Sequence, residues 1–252
     1  MGQVLLHPTF PQDELDRWKA QQRSQLVQMR ATPAFLGSER MRLALYGGDA
    51  RAIDNPTLES LDKIQRQDLV EFYKAYFRPG NSLLGVAGDI SPDAIVARLE
   101  KCIGPWESGR AKRPDLPLNA PLADKKIYLV DRPNSVQTQL ILANRASSRT
   151  DPDYIPCMVM NRVLGQGPSA RLFRNIREEK GFTYGVSSSF AATRFNNHFM
   201  ASSSVRTEVT GPAIDAFLDE FRAIRERPVG AEELENVKRA IVAGFALSLE
   251  SV

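Results

Sequence analysis

Between Pro105 and Pro121 the chain places four prolines among few apolar residues, and this stretch, more than any other, limits what the polypeptide can fold into. Proline lacks the backbone N–H that a helix interior or a central strand needs, and its ring fixes φ at about −65°. No regular element can run through such a segment. The chain is therefore expected to fold as separate parts, residues 1–106 and 126–252, joined by a linker over 107–125. With 252 residues, of which 42% are hydrophobic and 25% charged, there is material for one large or two modest cores.

Ahead of the linker, Leu15, Trp18, Leu26 and Met29 recur at helical spacing between Asp13 and Arg30. After the break at Pro33, a second helical pattern runs from Phe35 to Tyr46 and stops at Gly47-Gly48. Leu69, Phe72, Tyr73 and Tyr76 predict a helix over Gln67 to Phe77, ended by Pro79-Gly80. Ser82 to Ala87 is a short apolar run bounded by turn residues and is expected to be a strand. Ser91-Pro92 then supplies an N-cap and a proline suited to the first helical position, opening a helix that closes near Gly104.

Beyond the linker, Lys126–Val130 and Gln137–Ala143 are expected as strands, followed by helices over Asp153–Leu164 and Ser169–Lys180. Phe182–Ala191 and His198–Val205 alternate as an adjacent pair of strands around Asn196-Asn197. Ile214, Phe217, Leu218, Phe221 and Ile224 form a strong helical stripe, and Ala231–Leu249 forms another. Strands grouped with helices, rather than strictly alternating with them, point to an α+β arrangement of mixed sheet packed with helices.

Several chemistries are excluded. The only histidines, His7 and His198, stand in neither an H-E-x-x-H nor an H-x-x-E-H string, so the chain holds no self-contained zinc protease motif. Gly165-Gln166-Gly167-Pro168-Ser169-Ala170 satisfies the relaxed dinucleotide fingerprint. It follows a helical pattern instead of a strand, however, and no acidic residue stands at the ribose-binding distance, which leaves a glycine-rich break between helices. The net charge of +3 is dispersed, with no basic run interleaved with aromatics, so nucleic acid is not an expected partner. The most apolar stretch, Ile241–Leu249, is far shorter than the roughly 20 residues of a membrane span. Cys102 and Cys157 sit in separate apolar helical patterns and are expected as buried free thiols. The beginning has no signal-peptide pattern, and the last helical pattern runs out without a stop signal. A piece cut at both ends is expected.

The string from Leu164 to Val186, LGQGPSARLFRNIREEKGFTYGV, resembles the second homologous domain of the pitrilysin-type inverzincins, the family of insulin-degrading enzyme and mitochondrial processing peptidase. Weaker similarity runs through Phe10–Leu15, Leu45-Tyr46-Gly47, Leu58–Leu61, Phe72–Tyr76, Pro79-Gly80-Asn81 and Val86-Ala87-Gly88-Asp89. The resemblance implies two related domains. Residues 1–106 would be the rear part of an incomplete first domain, and 126–252 a second, substrate-contacting domain truncated at its end. The zinc motif of the family would lie upstream of Met1. Its third ligand is a glutamate preceded seven residues earlier by another, and here those positions fall on Gln25 and Trp18. An amide is a poor substitute for a carboxylate ligand of zinc.

The resemblance further implies that Arg177 and Tyr184, seven positions apart as in the family, contact the peptide opposite a zinc ion held by a homologous zinc-bearing subunit or domain. On this account the chain is part of a zinc-dependent metalloendopeptidase acting on unfolded peptides, inactive alone and holding no cofactor itself. A structural or assembly role, like that of the core proteins of respiratory complexes, is the rival. The residues alone also allow blander roles: Tyr184 shares strand parity with Phe182 and Val186 and so fits a core position, and Arg177 can pair with a nearby carboxylate.

Overall fold

The computed structural model describes residues 2–111, 122, 124–193 and 197–249. Most of the expected linker, at 112–121 and 123, lies outside the described residues, as do Asn196 of the expected turn and residues 250–252. In chain order the first elements are helices α1 (Gly2–Leu6), α2 (Gln12–Arg30), α3 (Pro33–Tyr46), α4 (Leu58–Lys63), α5 (Arg66–Tyr76) and α6 (Pro92–Ile103). Then come strand β1 (Gln137–Arg145), helix α7 (Tyr154–Gly165), a π-helical segment (Phe173–Glu179), strands β2 (Thr183–Ala192) and β3 (Asn197–Arg206), and helices α8 (Thr210–Glu226) and α9 (Ala231–Ser248). They pack as two compact units, one from Met1–Met29 and Asn55–Leu116, the other from Arg30–Asp54 and Pro117–Val252.

The first unit is helical among its described residues. Leu15 and Leu26 of α2 and Leu61 of α4 are buried. The start of α4 is fixed by Thr57 and Ser60, whose hydroxyls each accept the other's backbone N–H, a reciprocal cap that satisfies two orphan donors. Its far end is closed by Lys19, whose ammonium donates to the carbonyls of Asp62 at 2.9 Å and Ile64 at 2.7 Å, where a cation also meets the negative end of the helix dipole. Ser91 caps α6 through the N–H of Ala94, with Pro92 in the first turn.

Two expectations fail in this unit. Ser82–Ala87 is not a strand: Leu83 is fully exposed, and Leu84 and Val86 are about half exposed. An apolar run becomes a strand only when a neighbour takes up its N–H and C=O groups, and among the described residues this unit offers none. Cys102 is free but exposed rather than buried, because α6 buries no side chain completely.

The second unit is built on an antiparallel three-stranded sheet of order β1-β3-β2. Leu140, Val186, Ala201 and Val205 share one face and pack on Leu164, Leu172, Ile176, Ala213, Ala216 and Phe217. On the other face Ile141, Ala143 and Met200 are covered by Met41, Leu45 and Tyr46. Residues 30–54, read from sequence with the first part of the chain, thus supply the second layer of this unit. Helix α7 approaches β2 closely at Gly165, where a Cβ would lie 2.4 Å from Ser188 Oγ. Close packing therefore accounts for the first glycine of the Gly165–Ala170 run. Asn161 pairs with the buried Ser188 through two hydrogen bonds, of 3.2 and 2.7 Å.

Lys126–Val130, expected as a strand, pairs with nothing among the described residues. Ile127 and Leu129 are 99% and 91% exposed, and Tyr128 lies under the guanidinium of Arg40, 4.1 Å from its ring centroid. The helix expected over Ser169–Lys180 has ordinary geometry only at its start and widens to π geometry from Phe173. Cys157 is free and half-buried.

Candidate functional site

The segment carrying Arg177 is anchored from both sides. Ala170, Leu172 and Ile176 are buried almost completely. On the outer side Arg171 donates two hydrogen bonds to the carboxylate of Glu233, at 2.9 and 2.6 Å, and Asn175 donates to Glu220 at 2.6 Å. The Arg171 guanidinium holds the Glu233 carboxyl below the usual carboxylate range. The widened turn closes through the N–H of Lys180 to the carbonyl of Asn175 at 3.1 Å and that of Phe182 to Ile176 at 3.0 Å. π-Helical turns are rare and concentrate at functional sites.

Arg177 follows the fully buried Ile176 and faces solvent. Its guanidinium lies over the Phe173 ring, 4.5 Å from the centroid, and it makes no ion pair with any described carboxylate. The fork of donors is therefore oriented by a ring face and free to meet acceptors.

Gly181, at φ +62°, turns the chain from this segment into β2, using a conformation that side-chain-bearing residues rarely adopt. The ladder to β3 pairs Thr183 with Val205 and next Val186 with Ser203. Tyr184 and Gly185 together face Ser204, so the strand carries a β-bulge. Simple alternation would put Tyr184 on the core side with Val186; the bulge breaks the alternation, and Tyr184 is 92% exposed while Val186 is buried. Glycine inside a strand pattern is the sequence sign of such a bulge, and Gly185 was that sign. Arg177 and Tyr184 therefore flank one helix-to-strand turn, both exposed, with no bond between their side chains. Among the described residues β2 lies at an edge of the sheet.

The two histidines belong to different units. His7 is exposed beyond the end of α1. His198 is 6% exposed, with Nδ1 hydrogen-bonded at 2.9 Å to the hydroxyl of Tyr46. Burial, reinforced by the nearby Arg42, pushes its pKa below the ordinary histidine value. A depressed histidine pKa means that the unfolded chain takes up the proton first. The stability held by neutral His198 is therefore full above about pH 6.5 and is lost as pH falls below it. The melting temperature is expected to decline across that window and His198→Asn to flatten the decline; an equal slope in both proteins would refute the assignment.

Among the described residues no three His, Cys, Asp or Glu side chains group so as to hold a metal ion. Gln25 is exposed and bonded to Gln22 at 3.4 Å, and Trp18 on the same helix is 45% exposed. The described residues do not fit a zinc site. No helix among them is long and apolar enough to cross a membrane.

Residues 63–241 match the family described as the peptidase M16 inactive domain. The chain is 24% identical, along its whole length, to an uncharacterized zinc protease, YmxG, of Bacillus subtilis, and 23% identical to the non-peptidase homolog YmxG of Helicobacter pylori. It spans 60% and 58% of those two proteins. Among solved structures it is similar to a peptidase M16 inactive domain from Pseudomonas fluorescens, with TM-score 0.86 and 27% identity over 96% of this chain and 58% of that one. A chain of complex III from Candida albicans shares the fold, with TM-score 0.74 and 13% identity over 92% of this chain and 56% of that one. With its α+β architecture and its match over most of its length, the chain belongs to the peptidase M16 inactive domain family of pitrilysin-type proteins.

Proposed function

We propose that this chain is the zinc-less, substrate-contacting part of a zinc-dependent metalloendopeptidase, and that Arg177 and Tyr184 meet an unfolded peptide at a zinc site held by a homologous subunit or domain. The observation that carries this reading is the bulge in β2, which places a tyrosine in solvent where strand alternation would bury it. A phenol so presented can donate to a peptide carbonyl oxygen as that oxygen gains negative charge. The arginine, which forms no ion pair among the described residues, can grip backbone carbonyls through its fork. The edge position of β2 suits a peptide added as a further strand. Relatives bearing the name zinc protease support a peptidase setting. Likeness to a complex III chain favours the second reading, a structural or assembly subunit with no part in proteolysis.

Metal analysis of the chain, purified without chelator, tests the division of labour. Well under one zinc per chain is expected. Stoichiometric zinc that survives dialysis and is bound by these residues would show that the chain holds its own metal.

A further inference from the structure

We infer that Thr183 is a positioning residue: its hydroxyl fastens the bulge that keeps Tyr184 turned out of the sheet. Where two residues of β2 face the single Ser204 of β3, the regular ladder leaves backbone groups without their usual partners. Hydroxyls take them up. The N–H of Gly185 donates to Thr183 Oγ1 at 3.1 Å, and that oxygen lies 2.7 Å from the carbonyl of Ser204 and 2.9 Å from the carbonyl of Gly185. A hydroxyl has one proton to give. Ser203 Oγ already donates to the Gly185 carbonyl at 2.9 Å and the Ser204 carbonyl is the nearer acceptor of the two, so the Thr183 proton goes to Ser204 on the neighbouring strand. The hydroxyl of Ser204 is directed to Gln139 on β1, at 2.6 Å, and cannot take over. Thr183 thus joins the N–H of Gly185 to the carbonyl of Ser204, while Ser203 ties the Gly185 carbonyl from the partner strand.

Without that hydroxyl the N–H of Gly185 and the carbonyl of Ser204 lose these partners. The arrangement that restores them is the regular ladder, with Gly185 opposite Ser204 and Tyr184 opposite Val205. That register turns Tyr184 onto the core-facing side with Val186, since a slip of one residue exchanges the faces of a strand. Valine has nearly the shape of threonine without its hydroxyl, whereas serine keeps the hydroxyl, so the two substitutions separate shape from hydrogen bonding.

The test is nitration of Tyr184 by tetranitromethane in the full chain, followed by peptide mass spectrometry. Thr183→Val is expected to shift the balance between outward and inward Tyr184 about fivefold toward the inward form, the change in equilibrium constant that loss of one ordinary hydrogen bond produces, and so to slow labelling at Tyr184; Thr183→Ser is expected to leave labelling near the native rate. Unchanged labelling in a folded Thr183→Val protein would overturn the inference, as would an equal loss in Thr183→Ser. Should Thr183→Val fail to fold, Thr183→Ala decides, because it removes the same hydroxyl with a smaller side chain; unchanged labelling there would likewise overturn the inference. Its bearing on catalysis rests on the role proposed for Tyr184. Peptide cleavage by the complex with the zinc-bearing homologue should fall in parallel with labelling, in kcat more than in KM. Slowed labelling with undiminished cleavage would uphold the positioning role of Thr183 and refute the catalytic one of Tyr184.

Discussion

Tyr184→Phe is expected to lower peptide cleavage by the assembled enzyme by about 10²-fold, the usual cost of removing one donor aimed at a developing oxyanion, while leaving the melting temperature nearly unchanged. The substitution deletes a single oxygen from a side chain that is 92% exposed, and surface changes away from caps and cores shift stability by less than about 0.5 kcal/mol. Arg177→Ala should also lower cleavage, by removing the backbone grip, and should spare stability because Arg177 makes no ion pair among the described residues. Its contact with the Phe173 ring is of the exposed kind, worth about 0.5–1 kcal/mol. Thermal unfolding measured beside peptide turnover separates these effects. Full cleavage by the double variant would show that the family string survives here without its role.

Phe217→Ala is expected to show the opposite pattern, a loss of about 3–5 kcal/mol with activity per folded molecule retained. Phe217 of α8 has no exposed surface. It begins a chain of ring contacts that runs to Phe221 at 6.2 Å, on to Phe199 of β3 at 5.7 Å and to Phe190 of β2 at 5.2 Å. Truncation empties the buried end of this chain of rings, and each kilocalorie lost moves the melting point by roughly 2–4 °C in a chain of this size. Calorimetry of the variant measures the effect. A shift of only a degree or two would mean that the layer between α8 and the sheet is loosely packed.

The contrast between the two residues shows what was legible from sequence. Phe217, Phe221 and Ile224 recur at helical spacing, and a side chain's depth in a long amphipathic helix follows from that spacing alone. The three paired strands were likewise visible within a residue or two of their ends, β2 and β3 from their alternation. Ser82–Ala87 and Lys126–Val130 have the same apolar character but no described neighbour to pair with, and pairing is a property of the partner as much as of the segment. The widening of the helix at Phe173 leaves no mark in a pattern of apolar positions. Tyr184 is the most instructive case. Alternation assigns it to the core and the family string assigns it to the substrate; what decides its exposure is a bulge signalled only by Gly185 and fastened by two hydroxyls.

Resemblance and periodicity contributed differently to the site. Periodicity located the helix and strand that carry Arg177 and Tyr184, but it gave no reason to choose those two residues over their neighbours. The string around them did, and the structure adds physical context that the string lacked: an arginine that forms no ion pair among the described residues and a tyrosine held in solvent. The layer formed by residues 30–54 was invisible for a different reason. A helix carries no record of which sheet it covers, and Met41, Leu45 and Tyr46 would suit any apolar face.

A photo-cross-linking side chain placed at position 184 gives the most direct measurement of substrate contact. With the zinc-bearing homologue present, an unfolded peptide should be captured at position 184, while the same group at Leu218, an exposed site on α8, should capture little. Equal capture at both positions, or none at 184 while the complex cleaves the peptide, would contradict the placement of Tyr184 against substrate.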